Sequence, residues 1–302
     1  MTLLSRRSFL GTAAAAVCGA VSEPLVDAHV HLWNYDPKQY PWISNPVMKA
    51  DFGPAELKAE MDRTGIGWAI PVQARSSLEE TEWLLDLAER HEFLAAVVGW
   101  LPMDDAKLAP LLEKYASRRK LRGIRAGVEL NADSERGRRF LDALRVLGRA
   151  GLAYDIHISE DQLPGVGALA GRLPEVTLVL NHLAKPRIRE RILSPWRENM
   201  REAARRPNLY CKLSGLVNAA DPKTWTPEDL RPYIETALET FGPRRLMFGS
   251  DWPVCLQAAS YERWYRCARD AVAGLSRGEQ AWIFGRAAAQ AYRLELSISG
   301  QR

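Results

Sequence analysis

The sequence predicts an α/β chain folded as a single-domain (β/α)8, TIM-like barrel, and three observations predict it. Strand-like apolar runs alternate with helical periods, and the chain holds eight such strands. Those runs read as strands buried on both faces, the pattern of a parallel sheet covered by helices. The residues able to do chemistry fall at the C-terminal ends of the strands, the rim where such barrels carry their sites. At 302 residues and 47% hydrophobic, the chain can bury one large core. An open doubly wound sheet is the alternative. It lacks a dinucleotide-type glycine loop, because Gly165, Gly167 and Gly171 have the wrong spacing and precede a strand.

Residues 1–22 are set apart from the barrel at 23–302. Ser5-Arg6-Arg7-Ser8-Phe9-Leu10 resembles a twin-arginine export motif, followed by a weakly apolar run and the small residues Ala20-Val21-Ser22. This predicts a periplasmic enzyme, and the run is too short to span a bilayer. Without that segment, 39 basic residues face 37 acidic ones, a balance that points to no nucleic-acid or membrane partner. Three cysteines remain in the barrel, Cys211, Cys255 and Cys267. Their odd number and spacing indicate neither a disulfide framework nor a zinc knuckle.

The elements follow in order. Leu25–Leu32 is the first strand, and alternation would put Asp27, His29 and His31 on one face. Two adjacent imidazoles suit two ligands for one metal ion, or two hydrogen-bonding groups aimed at one substrate. A loop rich in aromatics and proline spans Trp33 to Pro54. Then helix and strand alternate: helices over 55–64, 77–91, 104–119, 134–150, 161–173, 188–206 and 227–241, with strands over 66–74, 93–101, 121–128, 152–158, 176–183, 209–216 and 245–251. Two last helices cover 261–273 and 278–294.

Four of the five histidines end strands: His29 and His31 on the first, His157 on the fifth, His182 on the sixth. Strand eight ends in Asp251. Strand phase adds Gln73, Arg125, Asp155, Lys212 and Ser214 to the inward set. Buried charges need partners, so these groups should bind one another, a metal or a polar substrate.

Val26-Asp27-Ala28-His29-Val30-His31-Leu32-Trp33, Val179-Leu180-Asn181-His182-Leu183-Ala184-Lys185-Pro186, Lys212-Leu213-Ser214-Gly215-Leu216 and Gly249-Ser250-Asp251-Trp252-Pro253 together resemble the amidohydrolase superfamily. The resemblance is to its amidohydrolase-2 branch of sugar-lactone and dicarboxylate-lactone hydrolases, of the L-fuconolactonase type. It covers nearly all of 23–302 and includes Ile283-Phe284-Gly285-Arg286-Ala287-Ala288 near the end. Asn181 and Arg286 depart from the usual Asp and Asn.

The resemblance implies that Asp251 is the general base that activates water, with the four rim histidines around it. Opening a lactone also needs a group that polarises the carbonyl and stabilises the oxyanion, and Arg125, Lys212, His182 or a metal could supply it. His29, His31, His157 and Asp251 would form a mononuclear site, zinc by ligand type; action through cationic side chains without metal is the other possibility. Trp33, Trp100 and Trp252 at strand ends, with Trp42 and Trp225 in loops, would offer faces to a sugar ring, with Gln73 and Ser214 for its polar groups. The expected partner is a small-molecule lactone. A metal-dependent decarboxylase of the same superfamily and a non-catalytic sugar-acid binding barrel are the rivals.

Overall fold

Eight parallel strands carry the architecture: β1 (Val26–Val30), β2 (Trp68–Pro71), β3 (Val97–Gly99), β4 (Leu121–Arg125), β5 (Ala153–Ile156), β6 (Leu178–Leu180), β7 (Leu209–Leu213) and β8 (Leu246–Phe248). The computed structural model describes residues 23–103 and 108–296, so the export motif at 1–22 lies outside the described residues. Strands β3 to β8 form one six-stranded sheet in sequence order, and β1 pairs with β2. Single parallel bridges join these two sheets, Val72 to Val98 and Ala69 to Leu94 on one side and Val30 to Trp252 on the other. The sheet is therefore curled, with β1 lying beside the chain that leaves β8.

Each strand is shorter than the apolar run that predicts it. The ladder ends where the rim begins, and His31, His157, His182 and Asp251 all lie just beyond their strands. Helices cover the outside. Ser77, Ser134, Ser260 and Ser276 cap four of them by accepting the N–H of Glu80, Gly137, Arg263 and Glu279, each cap contributing about 1 kcal/mol.

Two apolar clusters matter for the site. The larger fills the space between helices and sheet, with Leu57, Leu84, Leu144, Leu180 and Trp264 among its members. The smaller fills the inside of the curl: Val26, Ala28, Val72, Val98, Val179 and Met247 pack there against Ala287, Ala288, Ala291 and Tyr292 of the C-terminal segment.

Three expectations need correction. The predicted helix at 278–294 is an α-helix (Arg277–Ala281), a π-turn (Trp282–Arg286) and a second α-helix (Ala287–Ala291). The wider turn accommodates close packing at Gly285, where a Cβ would come 2.1 Å from the Pro24 carbonyl oxygen. The helix predicted over 188–206 is confined to Trp196–Ala204, because Pro195 has no N–H and restricts the residue before it. Finally, Asp27 does not share a face with His29 and His31. The pairing register of β1 shifts between Asp27 and Val30, a bulge-like irregularity that re-aims side chains. Asp27 instead accepts from Tyr261 Oη at 2.9 Å and from the Ser250 N–H at 2.9 Å, tying β1 to the helix Tyr261–Ala271 and to the end of β8. Burial pushes its pKa up to about 6, against those hydrogen bonds.

Candidate active site

A cavity of about 830 Å³ opens at the C-terminal ends of the strands, and His31, Arg125, His157, His182, Lys185 and Asp251 line it. Asp251 sits at its floor with φ 58°, in the left-handed region. The chain leaving β6 is more strained still: His182, Leu183, Ala184 and Lys185 have φ of 54°, 49°, 58° and 52°. For non-glycine residues this conformation costs about 1–2 kcal/mol each, and it persists where packing over-determines it, characteristically at working sites. Here it turns His182 back over the end of the sheet.

The imidazoles gather around Asp251. Its Oδ1 lies 3.4 Å from His31 Nε2, 3.7 Å from His29 Nε2 and 4.0 Å from His182 Nε2. The His29 and His31 Nε2 atoms are 3.2 Å apart. His31 Nδ1 donates to the Val72 carbonyl at 2.7 Å, which in the neutral ring leaves the Nε2 lone pair to accept from His29 Nε2. Ser214 Oγ holds His182 Nδ1 at 2.8 Å. Desolvation keeps all of these rings neutral: His29 and His182 are pushed well below their ordinary pKa, and His31 is lowered with Asp251 opposing the shift. His157 stands across the cavity wall, 5.5 Å ring to ring from His182, exposed to the cavity, with desolvation and the charges of Arg125 and Lys185 lowering its pKa.

His29, His182 and Asp251 form, among the described residues, the group whose ligand atoms lie within 4.8 Å of one another. Tetrahedral zinc with bonds of about 2.0–2.1 Å sets its ligand atoms about 3.3 Å apart, so the spacing and the imidazole–carboxylate chemistry fit one divalent ion. His31 stands beside the group, and His157 stands outside it. One neighbour works against an ion. Lys212 Nζ lies 3.3 Å from His29 Nδ1, and an ammonium there donates to the ring and leaves the hydrogen on Nε2.

Lys212 itself does not reach the cavity. It is fully buried and ion-paired to Asp155 at 2.6 Å, whose other oxygen accepts from Tyr292 Oη at 2.6 Å. Burial lowers the Lys212 pKa and Asp155 offsets it. Gln73 and Ser214 likewise stand behind the wall: the Gln73 amide donates to the Arg125 carbonyl at 3.1 Å, and an Arg125 Nη2 hydrogen bond returns to the Gln73 carbonyl.

The expected aromatic platform is found only in part. Trp33 is fully buried among Tyr40, Phe52 and Ile43, its Nε1 donating to Ala50 O at 2.9 Å. Trp252 packs edge-on to Phe52, and the Trp100 N–H donates to Thr81 Oγ1 at 2.9 Å. None of the three lines the cavity; Trp42, 44% exposed on the proline-rich loop, does. A residue just after a strand can turn either way, and these turn into the loop layer. Sequence reasoning also missed Lys185 and Tyr292. Lys185 stood inside the motif at 179–186, whereas Tyr292 gave no signal beyond its place on an apolar helix face.

The amidohydrolase-2 family profile matches residues 26–294. This chain belongs to that family. Among similar proteins is an L-fucono-1,5-lactonase of Burkholderia multivorans, 39% identical over 295 residues that cover 89% of this chain and 96% of the relative. A second L-fucono-1,5-lactonase, from Burkholderia ambifaria, is 33% identical over 91% of this chain and 98% of its own. A solved amidohydrolase from Burkholderia multivorans with bound zinc superposes with a TM-score of 0.84 at 37% identity, covering 90% of this chain and 99% of that one. As an amidohydrolase, the chain is a hydrolase of the α/β kind with a parallel curled sheet, and the His29–His182–Asp251 group is its possible metal site.

Proposed function

We propose that the eight strands make a closed (β/α)8 barrel whose rim opens the ring of a sugar lactone with water activated by Asp251. One observation carries this reading: a strained carboxylate surrounded by neutral imidazoles at the floor of a cavity that a buried guanidinium also lines. The kinship with two proteins named L-fucono-1,5-lactonase supports it.

The chemistry follows from what each group can accept or donate. A water oxygen attacks the lactone carbonyl carbon while Asp251 takes the proton, and the carbonyl electron pair moves onto oxygen. Arg125, whose pKa burial lowers from a very high ordinary value, supplies N–H donors and positive charge toward that oxyanion. Collapse breaks the bond to the ring oxygen, which recovers the proton from Asp251, leaving an open hydroxy acid. His31 and His182 enclose the carboxylate. Ser214 and Lys212 position the His182 and His29 rings from behind, and Gln73 fixes the backbone of Arg125. A divalent ion, zinc by ligand type, would be held by His29, His182 and Asp251, and would act there as a Lewis acid.

Acid release from a panel of sugar γ- and δ-lactones, with and without chelator, tests the reading. Lactone-dependent acid release is expected. Carbon dioxide from carboxylated aromatics, with no acid from any lactone, would replace it with the decarboxylase. We further propose that residues 1–22 direct export to the periplasm; replacing Arg6 and Arg7 by Lys and fractionating cells is the test, and unchanged periplasmic yield would contradict it.

A further inference from the structure

Glu80 carries a buried carboxylate, 1% exposed, that the hydrolytic reaction does not use and that does not line the cavity. It stands at the third position of the helix Leu78–Arg90, where Ser77 and Glu80 have the spacing of a capping box. Ser77 keeps its half of the box and accepts the Glu80 N–H at 3.1 Å. The carboxylate does not return to Ser77, whose N–H goes to the Arg75 carbonyl at 3.0 Å. It turns away from its own helix instead. Oε2 accepts the Ala74 N–H at 2.9 Å and the Arg75 N–H at 2.8 Å, while Oε1 accepts from Tyr40 Oη at 3.1 Å. These donors oppose the rise in pKa that burial imposes on the group.

Both arms lead to Trp42. Tyr40 opens the turn that carries it, closed by the Ile43 N–H on the Tyr40 carbonyl at 3.1 Å. On the other side, the Arg75 N–H and the Ala74 carbonyl belong to one peptide unit, and that carbonyl accepts from Trp42 Nε1 at 2.9 Å. A negative charge on a peptide N–H polarises the carbonyl behind it, so the carboxylate both fixes the plane of the acceptor and strengthens it. Trp33 meets the indole edge to face, with 5.7 Å between ring centroids. Held in this way, Trp42 lines the cavity beside Ala74 and stays 44% exposed. A rigid aromatic ring open to a cavity is an apolar wall for a small ring-shaped ligand.

We propose that Glu80 is a positioning residue, which through the Tyr40 turn and the Ala74–Arg75 peptide sets the indole of Trp42 against the ring of the bound lactone. The inference rests on the lactone-hydrolase reading and adds to it a carboxylate outside the cavity. Contact with the ring is shared by the ground state and the transition state, so the effect falls on KM rather than kcat.

The test takes the lactone that the wild type hydrolyses fastest and measures kcat and KM separately. Trp42→Ala is expected to raise KM about three- to tenfold, the scale of one aromatic contact, with kcat held within about twofold. Glu80→Met should reproduce that rise. Glu80→Gln should keep most of the wild-type KM, because its amide oxygen accepts the two N–H groups and its NH2 donates to the Tyr40 oxygen. In the Trp42→Ala background Glu80→Met should raise KM no further. Tyr40→Phe removes one arm only, and it carries the same cycle if Glu80→Met does not fold. A KM unchanged in the folded variant, or losses that multiply with Trp42→Ala, would overturn the proposal. Acrylamide quenching of the Trp42 fluorescence, taken as the difference between each protein and its Trp42→Phe counterpart, needs no turnover and separates this claim from the lactone reading. Stronger quenching in Tyr40→Phe supports the positioning role even if no lactone is hydrolysed, and unchanged quenching refutes it.

Discussion

Gly249 occupies a place where any side chain collides: a Cβ there would come within 2.7 Å of His29 Cβ and 3.1 Å of Ser214 Cβ. Gly215 is constrained twice, by φ 71° and by His182 Nδ1 at 2.7 Å from a built Cβ. Gly249→Ala should destabilise the chain by about 1–3 kcal/mol in urea unfolding and lower activity by displacing His29. Unchanged stability would show that the His29 ring moves aside freely. Asp251 and the histidines were legible in the sequence because few residue types do this chemistry and strand ends mark where they do it. The turn of Trp33 and Trp252 away from the cavity was not, since that direction depends on a loop's packing.

At the scale of elements, the C-terminal segment does more than close the fold. Tyr292 reaches through the interior cluster to Asp155, which holds Lys212, which touches His29. Tyr292→Phe removes the hydroxyl and leaves a buried carboxylate oxygen without its donor, so a loss of about 1–3 kcal/mol in stability is expected from denaturant unfolding. A neutral result would mean that the Asp155 oxygen finds another donor. The order and type of the strands were readable from apolar alternation. Their ends were not, because rim residues leave the ladder without any change in composition. The bulge-like shift in β1 was hidden for a related reason: period-two reasoning assumes unbroken register, and one extra residue reverses the face of everything after it.

For the molecule as a whole, the arrangement separates support from chemistry. The interior cluster and the Asp155–Lys212–Tyr292 network lie beneath the imidazoles, while the cavity above carries Asp251, Arg125 and Lys185. A divalent ion held by His29, His182 and Asp251 would stabilise the folded state by binding it alone, so added zinc should raise the melting temperature of the wild type and not of Asp251→Ala. An equal rise in both would place any bound ion elsewhere. The central claim is that Asp251 activates water against a lactone carbonyl. Its most direct test is acid release from the panel of sugar lactones by the chain 23–302 beside Asp251→Asn, with circular dichroism to verify that both are folded. The account predicts turnover by the first and a loss of about a thousandfold in the folded variant. Hydrolysis by Asp251→Asn at the wild-type rate would contradict it.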